Sequence, residues 1–254
     1  MEVRVLGCHG GESPQHLPTS LLVDGHLALD AGSVCRSLSL EAQLQIEEII
    51  IGHAHMDHIK DLALLAEQGV GRRTKPIDVH CGPDSARALK QHFFNDVVWP
   101  DFTVLPSKSK PMVRLRTERA ARKFKACGLD VTMIPVHHPV ESMGMLVQQG
   151  QRAFVYSSDT GPTDKLWKAA AKVEGLAAVF LELSFPNSMQ ALADKAGHLT
   201  PYSLALELQK LPDPAVPVFL YHLKPSHTVE IRRELRALRR DNLSVLSPGD
   251  VIEI

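Results

Sequence analysis

The chain has 254 residues, 44% of them hydrophobic and 22% charged, an ordinary globular balance that excludes disorder and collagen-like repeats. Lys and Arg total 28 against 29 Asp and Glu, so a net charge of −1 gives no overall pull toward nucleic acid or a membrane surface. The length suits one larger domain, residues 1–254, whose core needs no disulfides. The cysteines, Cys8, Cys35, Cys81 and Cys127, lie far apart with no C-x-x-C pair, which predicts free thiols in a reducing compartment. The N-terminus has no basic and then apolar leader, and no run approaches the roughly 18 apolar residues that span a bilayer. A soluble cytoplasmic protein is expected. The unusual feature is 13 histidines, several of them clustered, which directs attention to metal or acid–base chemistry.

In chain order, residues 2–6 read as a strand, followed by a Gly/Pro/His-rich loop to Pro18. Residues 20–23 and 27–29 read as a hairpin across the turn dipeptide Asp24-Gly25. Residues 48–51 form a compact apolar strand that stops at Gly52, and 61–67 a short helix. Residues 77–80 predict a strand and 85–95 a helix, with Asp84 as its N-cap after Pro83. Residues 129–136, 144–149 and 152–156 read as strands, 165–173 as a helix and 177–181 as a buried strand. A helix over 201–211 starts from Thr200 as N-cap with Pro201 in its first turn. A strand over 216–221 and a basic amphipathic helix over 229–240 follow. Strands first in meanders and then mixed with helices predict sheets covered by helices in layers.

The dominant chemical signal is His53-Ala54-His55-Met56-Asp57-His58. His53, His55, Asp57 and His58 crowd into six residues directly after an apolar strand. A strand end is rigid, and the turn after it can splay all of these side chains toward one point. Imidazole with carboxylate suits zinc and related first-row ions.

This H-x-H-x-D-H run resembles the signature of the metallo-β-lactamase superfamily, and the similarity continues along the chain. Asp30 ends the segment Leu27-Ala28-Leu29, His137-His138 follow one strand, Asp159 another, and His222 a third. The resemblance implies an α/β fold, a four-layer αββα sandwich, and two divalent metal ions, zinc by preference with manganese or iron as substitutes. One ion would be held by His53, His55 and one of His137 and His138; the second by Asp57, His58 and His222; Asp159 would bridge them. Between the paired histidines His138 is preferred, because Gly144 lies six residues on, as in phosphodiesterase branches of the superfamily. Asp30 is expected to orient the metal-binding loop.

Glu182, ending a buried strand, and His198, opening a helix, resemble the pair that protonates the leaving oxygen in tRNA 3′-processing endonucleases and their relatives. The chain is most similar to the class II cyclic-nucleotide phosphodiesterases, through the Gly7-Cys8-His9-Gly10-Gly11 loop and the segments around Asp30, Asp159, Glu182, His198 and His222. Met56 and Asp61 depart from that pattern, which has Leu and a small residue there. The implied activity is hydrolysis of 3′,5′-cyclic nucleotides to 5′-monophosphates by a hydroxide shared between two metals, with His198, Glu182 and Asp57 as catalytic residues and a small-molecule phosphodiester as partner. The competing readings are a tRNA 3′-endonuclease, for which the long Gly/Pro-rich clamping arm is missing, and a thioester or lactone hydrolase, which has no use for Glu182 and His198. Homodimerisation is common in the superfamily.

Other features read more plainly. The basic stretch 108–125 carries Lys108, Lys110, Arg114, Arg116, Arg119, Arg122, Lys123 and Lys125 against Glu118 alone, and reads as a solvated loop and strand edge, with a patch that attracts a phosphate-bearing substrate as the alternative. His9 and His16 read as loop residues, His26, His80 and His92 as structural, and His227 as a neighbour of the last helix cap.

Overall fold

The computed structural model describes residues 1–254. Two seven-stranded sheets carry the architecture. The first runs, in spatial order, Val251–Glu253, Glu2–Gly7, Ser20–Val23, Leu27–Leu29, Glu48–Ile51, Ile77–Cys81 and Val113–Thr117. The second runs Leu243–Val245, Val218–Tyr221, Leu176–Glu182, Arg152–Tyr156, Met143–Gln149, Leu129–Pro135 and Lys123–Ala126. Both halves share one plan. An antiparallel meander leads into a run of parallel strands, which needs helical crossovers and so places helices on the outer face.

Three apolar clusters correspond to the three interfaces of an αββα sandwich. One lies between the sheets and joins Val5, Leu29 and Ile50 of the first to Met145, Phe154 and Phe180 of the second. A second packs the first sheet on helices through Ile49, Ile51, Leu62 and Leu65, and a third packs the second sheet on helices through Val155, Leu166, Trp167 and Leu204. The strand Glu48–Ile51 is buried on both faces, which is why it reads as a continuous apolar run rather than an alternating one.

The expected elements recur with small shifts at their ends. The helix expected to start after an Asp84 cap begins two residues earlier: Gly82 is the cap, Pro83 the first helical residue, and Asp84 lies inside the first turn. It spans Pro83–Ala88 and continues as a widened turn over Leu89–Phe93. Thr200 caps the helix Pro201–Glu207 as expected, and Ser203 returns the hydrogen bond to the Thr200 backbone. The basic stretch supplies the edge strands Val113–Thr117 and Lys123–Ala126, one on each sheet. Arg114 and Arg116 pair with Asp78, and Lys123 and Lys125 with Asp130. Charged side chains on an outer strand discourage another strand from adding to it. No helix is long and apolar enough to cross a membrane.

Candidate metal centre

The candidate residues collect at the carboxyl ends of the parallel strands of both sheets, where open α/β sheets place their ligands. Asp30, Ser158 and His222, each just past a strand, adopt left-handed φ values of 58°, 54° and 70°. Such a conformation costs a non-glycine residue about 1–3 kcal/mol, and it recurs here at three turns that face one point.

His53, His55 and His138 offer donor atoms within 4.8 Å of one another; so do Asp57, His58 and His222, and so do His53, His58 and Asp159. Asp159 Oδ2 lies 3.7 Å from His53 Nε2, 3.4 Å from His58 Nε2 and 3.3 Å from His222 Nε2. His138 Nε2 lies 3.3 Å from His55 Nδ1, and His222 Nε2 lies 3.4 Å from Asp57 Oδ2. Two atoms that share a tetrahedral ion at about 2.0–2.1 Å sit roughly 3.3–3.4 Å apart. Most of these separations match that figure. His53 Nε2, His58 Nε2 and Asp159 Oδ1 are also buried with no hydrogen-bond partner, which is costly unless a cation takes their lone pairs. The donor set therefore fits divalent metal.

The other ring nitrogens of His58 and His138 are committed to the protein. Asp30 Oδ2 accepts from His58 Nδ1 at 2.7 Å and from the Tyr156 hydroxyl, while its Oδ1 accepts from the Gly52 amide at 2.8 Å. Asp30 thus ties the end of one strand to the histidine a turn further on, the orienting role expected of it. His138 Nδ1 donates to the Gly197 carbonyl at 3.0 Å, which leaves its Nε2 facing His55. His137 is exposed, its backbone amide bonded to Thr160, and it joins none of the donor groups.

Burial and the neighbouring His58 push His53 well below the usual histidine range, and burial lowers His55 and His138 as well. Neutral imidazole is the form that binds metal. Burial disfavours charge on His58, but Asp159 and Asp30 outweigh it and hold the ring well above its usual range. Burial likewise opposes charge on Asp159, and the surrounding His222 and His58 hold its carboxyl well below the carboxylate range. The carboxylates draw positive charge into the cluster.

Glu182 is fully buried at the end of its strand. Its Oε1 accepts from the Leu199 amide at 2.9 Å and from His198 Nδ1 at 3.3 Å. Burial disfavours charge on His198, yet the Glu182 carboxylate raises it above the usual histidine range. The His198 ring lies 5.1 Å from that of His138 and 5.4 Å from that of His222, so it borders the donor cluster on both sides.

Ser184 does not stand out in the sequence. It donates to Glu182 Oε2 at 2.8 Å, and its remaining lone pairs face His222 Nδ1 at 2.8 Å and His198 Nδ1 at 3.1 Å. A hydroxyl has one proton to give. Spending it on Glu182 makes both rings donors at Nδ1 and leaves their Nε2 atoms free. The signal is present as Glu-x-Ser at a strand end, where alternate residues share a face. Tyr156, equally inconspicuous in the sequence, stacks on Tyr221 at 5.1 Å beneath the site and donates to Asp30. The departures from the expected pattern separate in space. Met56 is 57% exposed beside the cluster, whereas Asp61 is buried and accepts the Cys35 amide at 2.7 Å.

A family model described as "Beta-lactamase superfamily domain" matches residues 28–238. The chain belongs to the beta-lactamase superfamily. Within it, the chain is 30% identical to a "Probable 3′,5′-cyclic-nucleotide phosphodiesterase" of Yersinia pestis, over 89% of this chain and 78% of that protein. Among solved structures it superposes on unliganded yeast PDE1 with a TM-score of 0.85 at 19% identity, covering 100% of this chain and 99% of the other. It superposes on the short form of human tRNase Z with a TM-score of 0.72 at 17% identity, covering 100% and 99%. These structures share the metallo-β-lactamase fold expected from the H-x-H-x-D-H run. Nucleases and other phosphodiesterases of the superfamily have that fold in common, so the reaction must be argued from the site.

Proposed function

We propose that this protein is a metal-dependent phosphodiesterase that hydrolyses 3′,5′-cyclic nucleotides to 5′-monophosphates. The observation that carries the reading is the buried Glu182–His198 pair, placed against a cluster of histidines and aspartates spaced for shared cations. The Yersinia pestis relative, named for this activity, supports the substrate class.

His53, His55 and His138 would hold one divalent ion, Asp57, His58 and His222 a second, and Asp159 reaches toward both groups. Mixed imidazole and carboxylate donors favour zinc, with manganese or iron as alternatives. Bound divalent ions would lower the pKa of water and offset charge on the phosphoryl oxygens. The chain itself supplies orientation and a proton. Asp30, Gly197 and Ser184 fix the rings of His58, His138 and His222, so the site needs little rearrangement when substrate arrives. His198, whose pKa the Glu182 carboxylate raises, would deliver a proton from Nε2 to the departing ribose 3′-oxygen. Glu182 and Ser184 hold the other ring nitrogen as a donor throughout.

The basic stretch, with Arg114, Arg116, Lys123 and Lys125 paired to acids along the sheet edges, favours a small substrate over a nucleic acid. All four cysteines are free, and burial pushes the Cys8 and Cys81 thiols up to about 12, in keeping with a reducing cytoplasm. The test is purification with metal analysis, followed by side-by-side assay of bis-p-nitrophenyl phosphate, cyclic AMP, cyclic GMP and a thioester. Turnover of a cyclic nucleotide with stoichiometric metal supports the reading. Turnover of the thioester alone sinks it.

A further inference from the structure

Beside the donor cluster lies a cleft of about 380 Å³ walled by three segments. His55 and Ala54 form one wall, Pro139, Val140 and Glu141 a second, and the helix Pro83–Ala88 the third. The first two segments are the turns that carry His53, His55 and His138. A phosphate held at those side chains therefore has this cleft next to it, and the rest of its molecule has room to enter. The volume falls in the range of clefts that take small organic ligands, roughly 300–1,000 Å³.

The lining indicates what kind of group fits. Ala54, Ala88, Pro139 and Val140 give apolar surface, and Val140 is 44% exposed without an apolar neighbour covering it fully. Of the charged groups, Glu141 commits one oxygen: its Oε2 accepts the amides of Asp84 at 2.9 Å and Ser85 at 3.1 Å. Asp84 is engaged by Arg87. The Arg87 guanidinium makes only that contact within the protein, and its side chain is 59% exposed. The free hydrogen-bonding capacity of the cleft is thus mixed: the Arg87 N–H donors stand beside the second carboxylate oxygens of Glu141 and Asp84, above an apolar floor. A flat heteroaromatic ring with acceptors along one edge and N–H donors along another matches it. Guanine presents two adjacent acceptors, N7 and O6, to an arginine fork, whereas adenine presents N7 beside an amino donor.

Resting on the cyclic-nucleotide reading above, we infer that this cleft receives the purine base of the substrate and that Arg87 donates to its acceptor edge, making Arg87 a specificity-determining residue. The experiment compares metal-loaded parent, Arg87→Ala and Ala88→Trp, the last filling the cleft from its helical wall. Each is assayed on cyclic GMP and on methyl p-nitrophenyl phosphate, a diester without a base, with circular dichroism to confirm folding. The readout is the ratio of kcat/KM for cyclic GMP to kcat/KM for the baseless diester. The expected result is a fall in that ratio of fivefold or more in both variants. A smaller fall in either overturns the assignment of the cleft while leaving the phosphodiesterase reading intact. A parent enzyme that cleaves the baseless diester but no cyclic nucleotide overturns the substrate reading itself, and this inference with it.

Discussion

Ser184 Oγ lies 2.8 Å from Nδ1 of His222, and the same hydroxyl donates to Glu182. One small side chain thereby links a candidate metal ligand to the carboxylate that sets the proton donor. Ser184→Ala removes the acceptor for His222 and leaves one oxygen of a buried glutamate without its partner. Loss of such supporting bonds typically costs about 10–100-fold in metal affinity or activity. The expected outcome is a fall of that size in kcat/KM, read alongside metal content after dialysis. Full metal content with unchanged turnover would remove Ser184 from the mechanism.

Glu182 sets the pH behaviour of His198. Burial alone would depress the histidine, and the Glu182 carboxylate reverses the sign so that its pKa is raised. A proton donor acts below its pKa, so activity should decline as pH rises through that raised value. In Glu182→Gln the raising charge is gone and burial dominates, which lowers the pKa of His198. The alkaline limb of kcat/KM should then move to lower pH. An alkaline limb that stays in place in the glutamine variant would separate Glu182 from proton transfer.

Asp159 gathers the largest number of imidazoles, facing His53, His58 and His222 within 3.3–3.7 Å. If these groups share divalent metal, ligand binding stabilises the fold and chelation lowers Tm. The parent should lose thermal stability on treatment with a chelator, and Asp159→Ala should bind little metal, show no activity and hold a Tm that chelator does not change. A variant with parental metal content would contradict the role given to Asp159.

Gly10 admits His222 to its place. A methyl group at Gly10 would meet the His222 carbonyl oxygen at 2.5 Å and its ring Nδ1 at 2.7 Å, closer than packed atoms tolerate. The His222 backbone is itself anchored in this loop, donating its amide to the Cys8 carbonyl at 2.7 Å. Gly10→Ala must therefore displace the histidine, the loop or both. A drop in activity of about tenfold or more is expected, with the circular dichroism spectrum preserved, since a 1 Å misplacement near a reaction centre can cost about 100-fold. Parental kinetics in this variant would mean that the loop yields without moving His222.

Much of this fold is legible in the amino-acid sequence. Periodicity and turn residues locate the hairpin of Ser20–Val23 and Leu27–Leu29, the buried strand Glu48–Ile51 and the capped helix after Thr200, because each of these is decided by residues close together in the chain. The H-x-H-x-D-H run is legible for the same reason: its donors share one turn. The edge strands Val251–Glu253, Leu243–Val245 and Lys123–Ala126 are harder, being short and partly exposed, and the first two are held by partners far away in sequence.

The histidine excess marks metal and acid–base chemistry from composition alone, and the resemblance to the metallo-β-lactamase superfamily nominates Asp159, His198 and His222. The tertiary structure sets His138 among the donors while leaving His137 exposed, since neighbouring residues differ by the direction in which the backbone turns. It alone reveals Ser184, Tyr156 and the cleft beside Arg87. A serine, a tyrosine and a surface arginine carry no chemical signature of their own. Their roles arise from distances across two sheets, and no local pattern encodes those distances.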